Sequence, residues 1–128
     1  SSAPELPTIL CLHGWPGSVY EFHEAAALLQ PSYNLVIPSL PGYGWSSPST
    51  VRGLGPVEIG EVFRRLMRRL GHRQYYLQGG DWGAIIVESM SRLAEKRSGD
   101  EPEVLGMHVN MPVRLGWGGV WGDGVGCG

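Results

Sequence analysis

Asp81 stands at the centre of the run Gln78-Gly79-Gly80-Asp81-Trp82-Gly83-Ala84, with small residues on both sides of a side chain able to attack an electrophile. A small-x-nucleophile-x-small pattern suits a sharp strand-to-helix turn, because small neighbours let the backbone fold tightly and expose the central side chain. The identity of that side chain decides the chemistry. A serine attacking a saturated carbon would leave an ether, which water does not readily cleave. A carboxylate leaves an ester, and water releases it by attacking the carboxyl carbon. The run therefore points to hydrolysis at an sp3 carbon, as in epoxides or alkyl halides, and away from peptide or ester cleavage.

The elements that must hold Asp81 follow from apolar periodicity. Thr8 to Leu12 is an almost wholly apolar run ending in His13-Gly14, which predicts a strand covered on both faces of a parallel sheet. Val19 to Gln30 is predicted helical, with Phe22, Ala25, Ala26 and Leu29 at three-to-four spacing and Pro31 as a stop. Tyr33 to Ile37 is a second strand, closed by a loop from Pro38 to Tyr43. From Val57 to Leu70 the residues Ile59, Val62, Phe63, Leu66, Met67 and Leu70 form one apolar stripe, and Gly71 supplies the stop. Tyr75 to Gln78 is the third strand, Trp82 to Lys96 a helix whose N-terminus points at Asp81, and Val104 to Asn110 the fourth strand. Strands alternating with helices imply right-handed crossovers and a parallel sheet with functional loops at the strand C-terminal ends, where His13, Ser39, Asp81 and Asn110 fall.

At 128 residues the chain is long enough for one core but short for an enzyme built around such a turn, so an incomplete domain is expected. Ser1 in place of Met adds to that expectation. Residues 1–112 carry the α/β pattern. Residues 113–128, with Trp117 and Trp121 among many glycines, read as a disordered tail. A net charge of −2 with interspersed signs favours a small-molecule partner over nucleic acid or an anionic membrane. Cys11 and Cys127 make no disulfide or metal-ligand spacing, which points to a reducing compartment, the cytoplasm. No stretch approaches the ~20 apolar residues of a membrane span. His23-Glu24 is not followed by a second histidine at position 27, and Cys11 with His13 gathers no further ligands, so neither a metal nor a cofactor is expected.

Three motifs converge on one family. His13-Gly14-Trp15-Pro16-Gly17-Ser18, Ser39-Leu40-Pro41-Gly42-Tyr43-Gly44-Trp45-Ser46 and Gly79-Gly80-Asp81-Trp82-Gly83 follow the first, second and third strands. In wording and order they resemble the epoxide hydrolases of the α/β-hydrolase fold, in the microsomal and juvenile-hormone branch. The resemblance covers residues ~6 to ~112 and is specific, because three loops agree in sequence and in strand order.

The resemblance implies that Asp81 opens an epoxide to an alkyl-enzyme ester, which water cleaves to a diol. It implies that the backbone N–H groups of Trp15 and Trp82 form an oxyanion hole, while their indoles wall an apolar pocket. His13, Gly14, Pro16 and Tyr43 belong to the motif loops beside that pocket, with a cis peptide at Trp15-Pro16 and a structural, backbone-bonding part for His13. The implied partners are a small apolar epoxide and water, with no cofactor, and full-length relatives are associated with the endoplasmic reticulum membrane. The implied fold is a partial α/β-hydrolase of about four parallel strands in the order second, first, third, fourth, with helices on both faces. The family's lid tyrosines, charge-relay acid and water-activating histidine, and its C-terminal strands, have no counterpart in this sequence. Bare sheet edges then predict marginal stability.

Plainer readings stand beside these. Asp81 is also a fitting helix cap, though its glycine neighbours and companion loops weigh against that use alone. His108 at the end of the fourth strand is expected to be a buried, satisfied histidine in preference to a substitute base. Arg64, Arg65, Arg68 and Arg69 read as the solvated face of a helix, and Tyr43 and Trp45 serve equally as pocket lining or as packing under their loop. Asp123 lies among glycines with no later histidine. Two alternatives to an epoxide hydrolase are a haloalkane or haloacid dehalogenase, which shares the carboxylate nucleophile, and a truncated fragment without activity.

Overall fold

The computed structural model describes residues 5–111 apart from positions 51, 98 and 100. The tail expected at 113–128, with Asp123, lies outside the described residues. Four strands, β1 (Thr8–Leu12), β2 (Asn34–Val36), β3 (Tyr75–Gly79) and β4 (Val104–Val109), alternate with three helices, α1 (His23–Leu29), α2 (Pro56–Arg69) and α3 (Trp82–Arg97). Every pairing is parallel and the order is β2-β1-β3-β4, as expected. Parallel strands bring the loops after β1, β2 and β3 to one edge of the sheet, which is how three motifs far apart in sequence meet.

Side chains alternate across the sheet. Leu10, Leu12, Tyr75 and Leu77 point to one face, where Phe63 and Met67 of α2 and Ile86, Val87 and Met90 of α3 close over them as the core. Each fully buried apolar side chain of this kind contributes about 1.5–3 kcal/mol. The other face is thinly covered. No residue of α1 is buried, and a cavity of about 220 Å3 remains between Ile9, Cys11 and Leu35 of the sheet and Phe22, Ala25 and Leu29 above them. Burial pushes the Cys11 thiol up to about 11, so it packs there as an apolar group.

The helix expected over Val19 to Gln30 is two elements. A 3-10 turn at Val19–Phe22 precedes α1, because Ser18 Oγ accepts the Tyr20 N–H at 3.2 Å and the Glu21 N–H closes onto the Ser18 carbonyl at 3.1 Å. α2 begins one residue before the expected start. Pro56 occupies its first turn, and Glu58 reaches back to the Gly55 N–H at 2.9 Å.

The four arginines of α2 do not share one solvated face. Arg64 is 1% exposed. Its guanidinium grips Glu103 with Nε at 3.1 Å and Nη2 at 2.6 Å, while Nη1 reaches Glu61 at 3.0 Å. The Tyr75 hydroxyl donates to Glu103 at 2.8 Å, and Arg68 approaches the same carboxylate at 3.4 Å. Burial alone would push the Glu103 carboxyl up, but the hydrogen bonds from Arg64 and Tyr75 and the positive charges of Arg64 and Arg68 hold it below its ordinary value. The network ties α2 to the start of β4 at the sheet end remote from Asp81.

Candidate active site

The turn after β3 is as tight as its glycines predict. Asp81 has φ of 54°, a left-handed conformation that few non-glycine residues adopt and one that aims its side chain out of the sheet edge. The next residue begins α3, and the Ala84 N–H closes onto the Asp81 carbonyl at 3.0 Å. Two glycines are there for close approach. A Cβ on Gly83 would collide with the carbonyl oxygens of Leu12 and His13, so only glycine lets α3 start against the end of β1. A Cβ on Gly14 would fall on the Asp81 side chain, 2.8 Å from its Oδ2, so the β1 loop can pass beside that carboxylate only with glycine there.

That passage delivers the Trp15 N–H to Asp81 Oδ2 at 2.8 Å. The Trp15 N–H first, and after it the adjacent Trp82 N–H, hold the Asp81 carboxyl below its ordinary value. Asp81 is thus an anion over the neutral range. Amide donors aimed at a carboxylate can hold its oxygens, and can stabilise negative charge that develops on an oxygen of the same group.

The Trp15-Pro16 peptide is cis. Trp15 and Trp82, the two residues whose amides approach Asp81, are 63% and 48% exposed. His13 is fully buried, and its hydrogen bonds fix its tautomer. The Leu40 N–H, which can only donate, reaches Nε2 at 2.9 Å, so Nδ1 carries the proton and gives it to the Gly14 carbonyl at 3.0 Å. A neutral imidazole therefore staples the β2 loop to the β1 loop, as expected of a structural histidine. Tyr43 lays its ring against that imidazole, centroids 5.4 Å apart at 68°, and packs on the core; of its two expected uses, it takes the one under the loop. Trp45 is exposed.

His108 departs from expectation. It is exposed, because β4 is the edge of the described sheet and its outer face is uncovered, and its Nδ1 meets Gln78 Oε1 at 2.5 Å. Its partner is thus Gln78 and not Asp81. Among the described residues no group of three or more His, Cys, Asp or Glu could hold a metal ion, and no helix is long and apolar enough to cross a membrane. One residue at the site had no place in the motif reading. Periodicity puts Glu21 on the solvent side of a helix, whereas the 3-10 turn brings its carboxylate back over Gly17. The spacing Gly17-x-x-x-Glu21 is its trace in the sequence.

Comparison with known proteins agrees with this geometry. The chain is 42% identical over 118 residues to the juvenile hormone epoxide hydrolase of Bombyx mori, covering 87% of this chain and 24% of that protein. It is 37% identical over 117 residues to epoxide hydrolase 1 of Oryctolagus cuniculus, covering 84% and 24%. The crystal structure of the Bombyx mori enzyme superposes with a TM-score of 0.74 at 42% identity, covering 86% of this chain and 30% of that one. The chain thus spans about a quarter of the length of the curated relatives it matches. Residues 7–119 match the alpha/beta hydrolase fold family. With strand order, elbow and sequence in agreement, the chain belongs to that family.

Proposed function

We propose that this chain carries the nucleophile and oxyanion hole of an epoxide hydrolase. The observation that supports this most is the Asp81 carboxylate, held at φ 54° on the elbow with the Trp15 N–H bonded to it and the Trp82 N–H beside it. In the first half-reaction an Asp81 oxygen attacks an epoxide carbon, the C–O bond of the ring breaks, and the ring oxygen takes up a proton from water. In the second, water adds to the Asp81 carboxyl carbon, the two amides hold the resulting oxyanion, and the ester bond breaks to release a diol and the free carboxylate, with one proton returned to solvent. The substrate is a small apolar epoxide that meets the Trp15 and Trp82 indoles, and water is the co-substrate. No cofactor enters either step. Residues 1–112 act as one partial core in this reading, and a cytoplasmic setting suits Cys11 as a buried free thiol.

Incubation of the 128-residue chain with a reactive aryl epoxide, followed by intact-mass and peptide analysis, tests the reading. The expected result is one adduct, on Asp81, that is lost in Asp81→Ala. A folded chain that takes no adduct, or an equal adduct in the alanine variant, would refute it. Faster alkylation by an alkyl bromide than by the epoxide would move the assignment to a dehalogenase.

A further inference from the structure

His13 joins two loops by bonds of opposite kind. Its Nε2 accepts the Leu40 N–H at 2.9 Å, and its Nδ1–H donates to the Gly14 carbonyl at 3.0 Å. Only the acceptor bond depends on the charge of the ring. A proton on Nε2 sets one donor against another, whereas Nδ1 carries its proton, and can keep its bond to Gly14, in either state. The two ends of one imidazole therefore respond differently to acid.

The loop on the Leu40 side is tied mostly to itself. The Tyr43 N–H closes onto the Leu40 carbonyl at 2.9 Å, the Ser46 N–H onto the Tyr43 carbonyl at 2.9 Å, and the Ser46 hydroxyl donates to the Ser39 carbonyl at 2.7 Å. Among the described residues, no hydrogen bond other than the Leu40–His13 bond joins residues 39–46 to residues 13–18. Both of its partners are buried, so a Leu40 N–H deprived of Nε2 reaches water only when the loop lifts. On the Gly14 side the next residue is Trp15, whose N–H is bonded to Asp81.

The titratable groups that face the ring are Glu21 from the 3-10 turn, within electrostatic reach of His13, Asp81 from the elbow, against Gly14, and Tyr43 from the β2 loop, ring to ring. Residues 14–18 of the β1 loop add none. Two carboxylates thus stand ready as counterions for an imidazolium once the Leu40 bond is given up. A buried histidine whose neutral and charged forms favour different partners is the kind of group whose protonation moves a segment.

We propose that His13 is an acid-operated latch: a proton on Nε2 frees the β2 loop, residues 39–46, from the β1 loop, while the Gly14 bond and the Trp15 amide on Asp81 stay in place. Acid then opens the side of the site that carries Tyr43 and Trp45 without taking the amide from the carboxylate. The latch does not depend on what Asp81 attacks.

Nitrogen NMR of the 128-residue chain tests this, following the His13 ring, hydrogen exchange at the Leu40 amide and the Trp15 amide resonance through one acid titration. The Leu40 amide should lose protection by about tenfold or more in step with the arrival of the proton at His13 Nε2. The Trp15 amide should keep its hydrogen-bonded, downfield resonance. His13→Gln, whose side-chain oxygen can accept the Leu40 N–H and takes up no proton, should keep Leu40 protected over the same range. A Leu40 amide that stays protected beside a doubly protonated His13 overturns the latch, as does joint release of Leu40 and Trp15. A Leu40 amide unprotected at neutral pH, or a His13 that takes its proton only as the whole chain unfolds, overturns it too. Equal acid loss in His13→Gln would move the effect to Glu21 or Asp81 and away from His13. Should the glutamine variant fail to fold, coincidence of the His13 and Leu40 titrations in the parent decides, and separate midpoints sink the proposal.

Discussion

Two carboxylates mark the two ends of the sheet. At the C-terminal end of β3, Asp81 sits in a left-handed backbone conformation, half-buried, with the Trp15 loop amide bonded to its carboxylate. At the other end, Glu103 is clamped by a buried guanidinium, a buried phenol and a second arginine, in ordinary strand and loop geometry. A polar cleft of about 580 Å3 lined by Arg68, Arg73, Glu101 and Glu103 lies at that second end. What sets the Asp81 end apart is backbone strain and hydrogen-bonding capacity that the protein leaves open, the condition of a group available to a ligand.

The largest effect expected from breaking this contrast comes from the satisfied end. Arg64→Ala leaves the Glu103 carboxylate with the exposed Arg68 as its nearby cation, at a cost of about 3–5 kcal/mol. That is a large share of the stability of a small domain. Guanidinium denaturation should show the loss. Whatever fraction stays folded should still alkylate at Asp81, since no member of the network touches the elbow. Replacing both partners, Arg64→Met with Glu103→Leu, should recover part of the stability, because an apolar pair avoids an orphaned charge but leaves the buried Tyr75 hydroxyl without its acceptor. If Arg64→Ala unfolds as the parent does, the network is ornamental and the contrast fails.

At the reactive end, His13→Phe should cost less, about 1–3 kcal/mol, set mainly by the buried Leu40 N–H left without an acceptor. Its second effect sharpens the comparison. His13 also holds the Gly14 carbonyl, one residue before the Trp15 amide, so adduct formation at Asp81 should slow in the folded variant. Rates measured well below the unfolding midpoint separate the two effects. An unchanged alkylation rate would mean that the loop holds Trp15 in place without the imidazole.

These ends also differ in how legible they were. Asp81, Trp15 and the strand order could be read because the chemistry of the elbow lies within a few consecutive residues and apolar runs mark each strand. The Arg64–Glu103 pair joins positions 39 apart, and helical periodicity places Arg64 among residues of the same type without showing which one turns inward. Glu21 escaped for a related reason. A 3-10 turn advances the chain at three residues per turn, so a helical phase of 3.6 gives no sign that its exposed carboxylate lies over Gly17. His108 was taken as buried because burial of an edge strand depends on what covers it, and its own sequence does not carry that information.

The smallest expected effect concerns the residue next to Arg64. Arg65 belongs to the same helix and contacts the same Glu61, with Nε 3.5 Å from Oε1, yet it is 73% exposed. An exposed pair four residues apart contributes about 0.3–0.5 kcal/mol, because water screens the charges and both long side chains lose freedom in making the contact. Arg65→Ala should therefore shift the denaturation midpoint barely beyond error, and high salt should remove even that difference. The Arg64→Ala loss should persist in the same salt, since its partners are partly withdrawn from solvent. Adjacent residues of one type would then differ about tenfold in their effect on stability through burial alone. Equal losses from the two substitutions would place the value of the network in helix propensity and not in the clamp on Glu103.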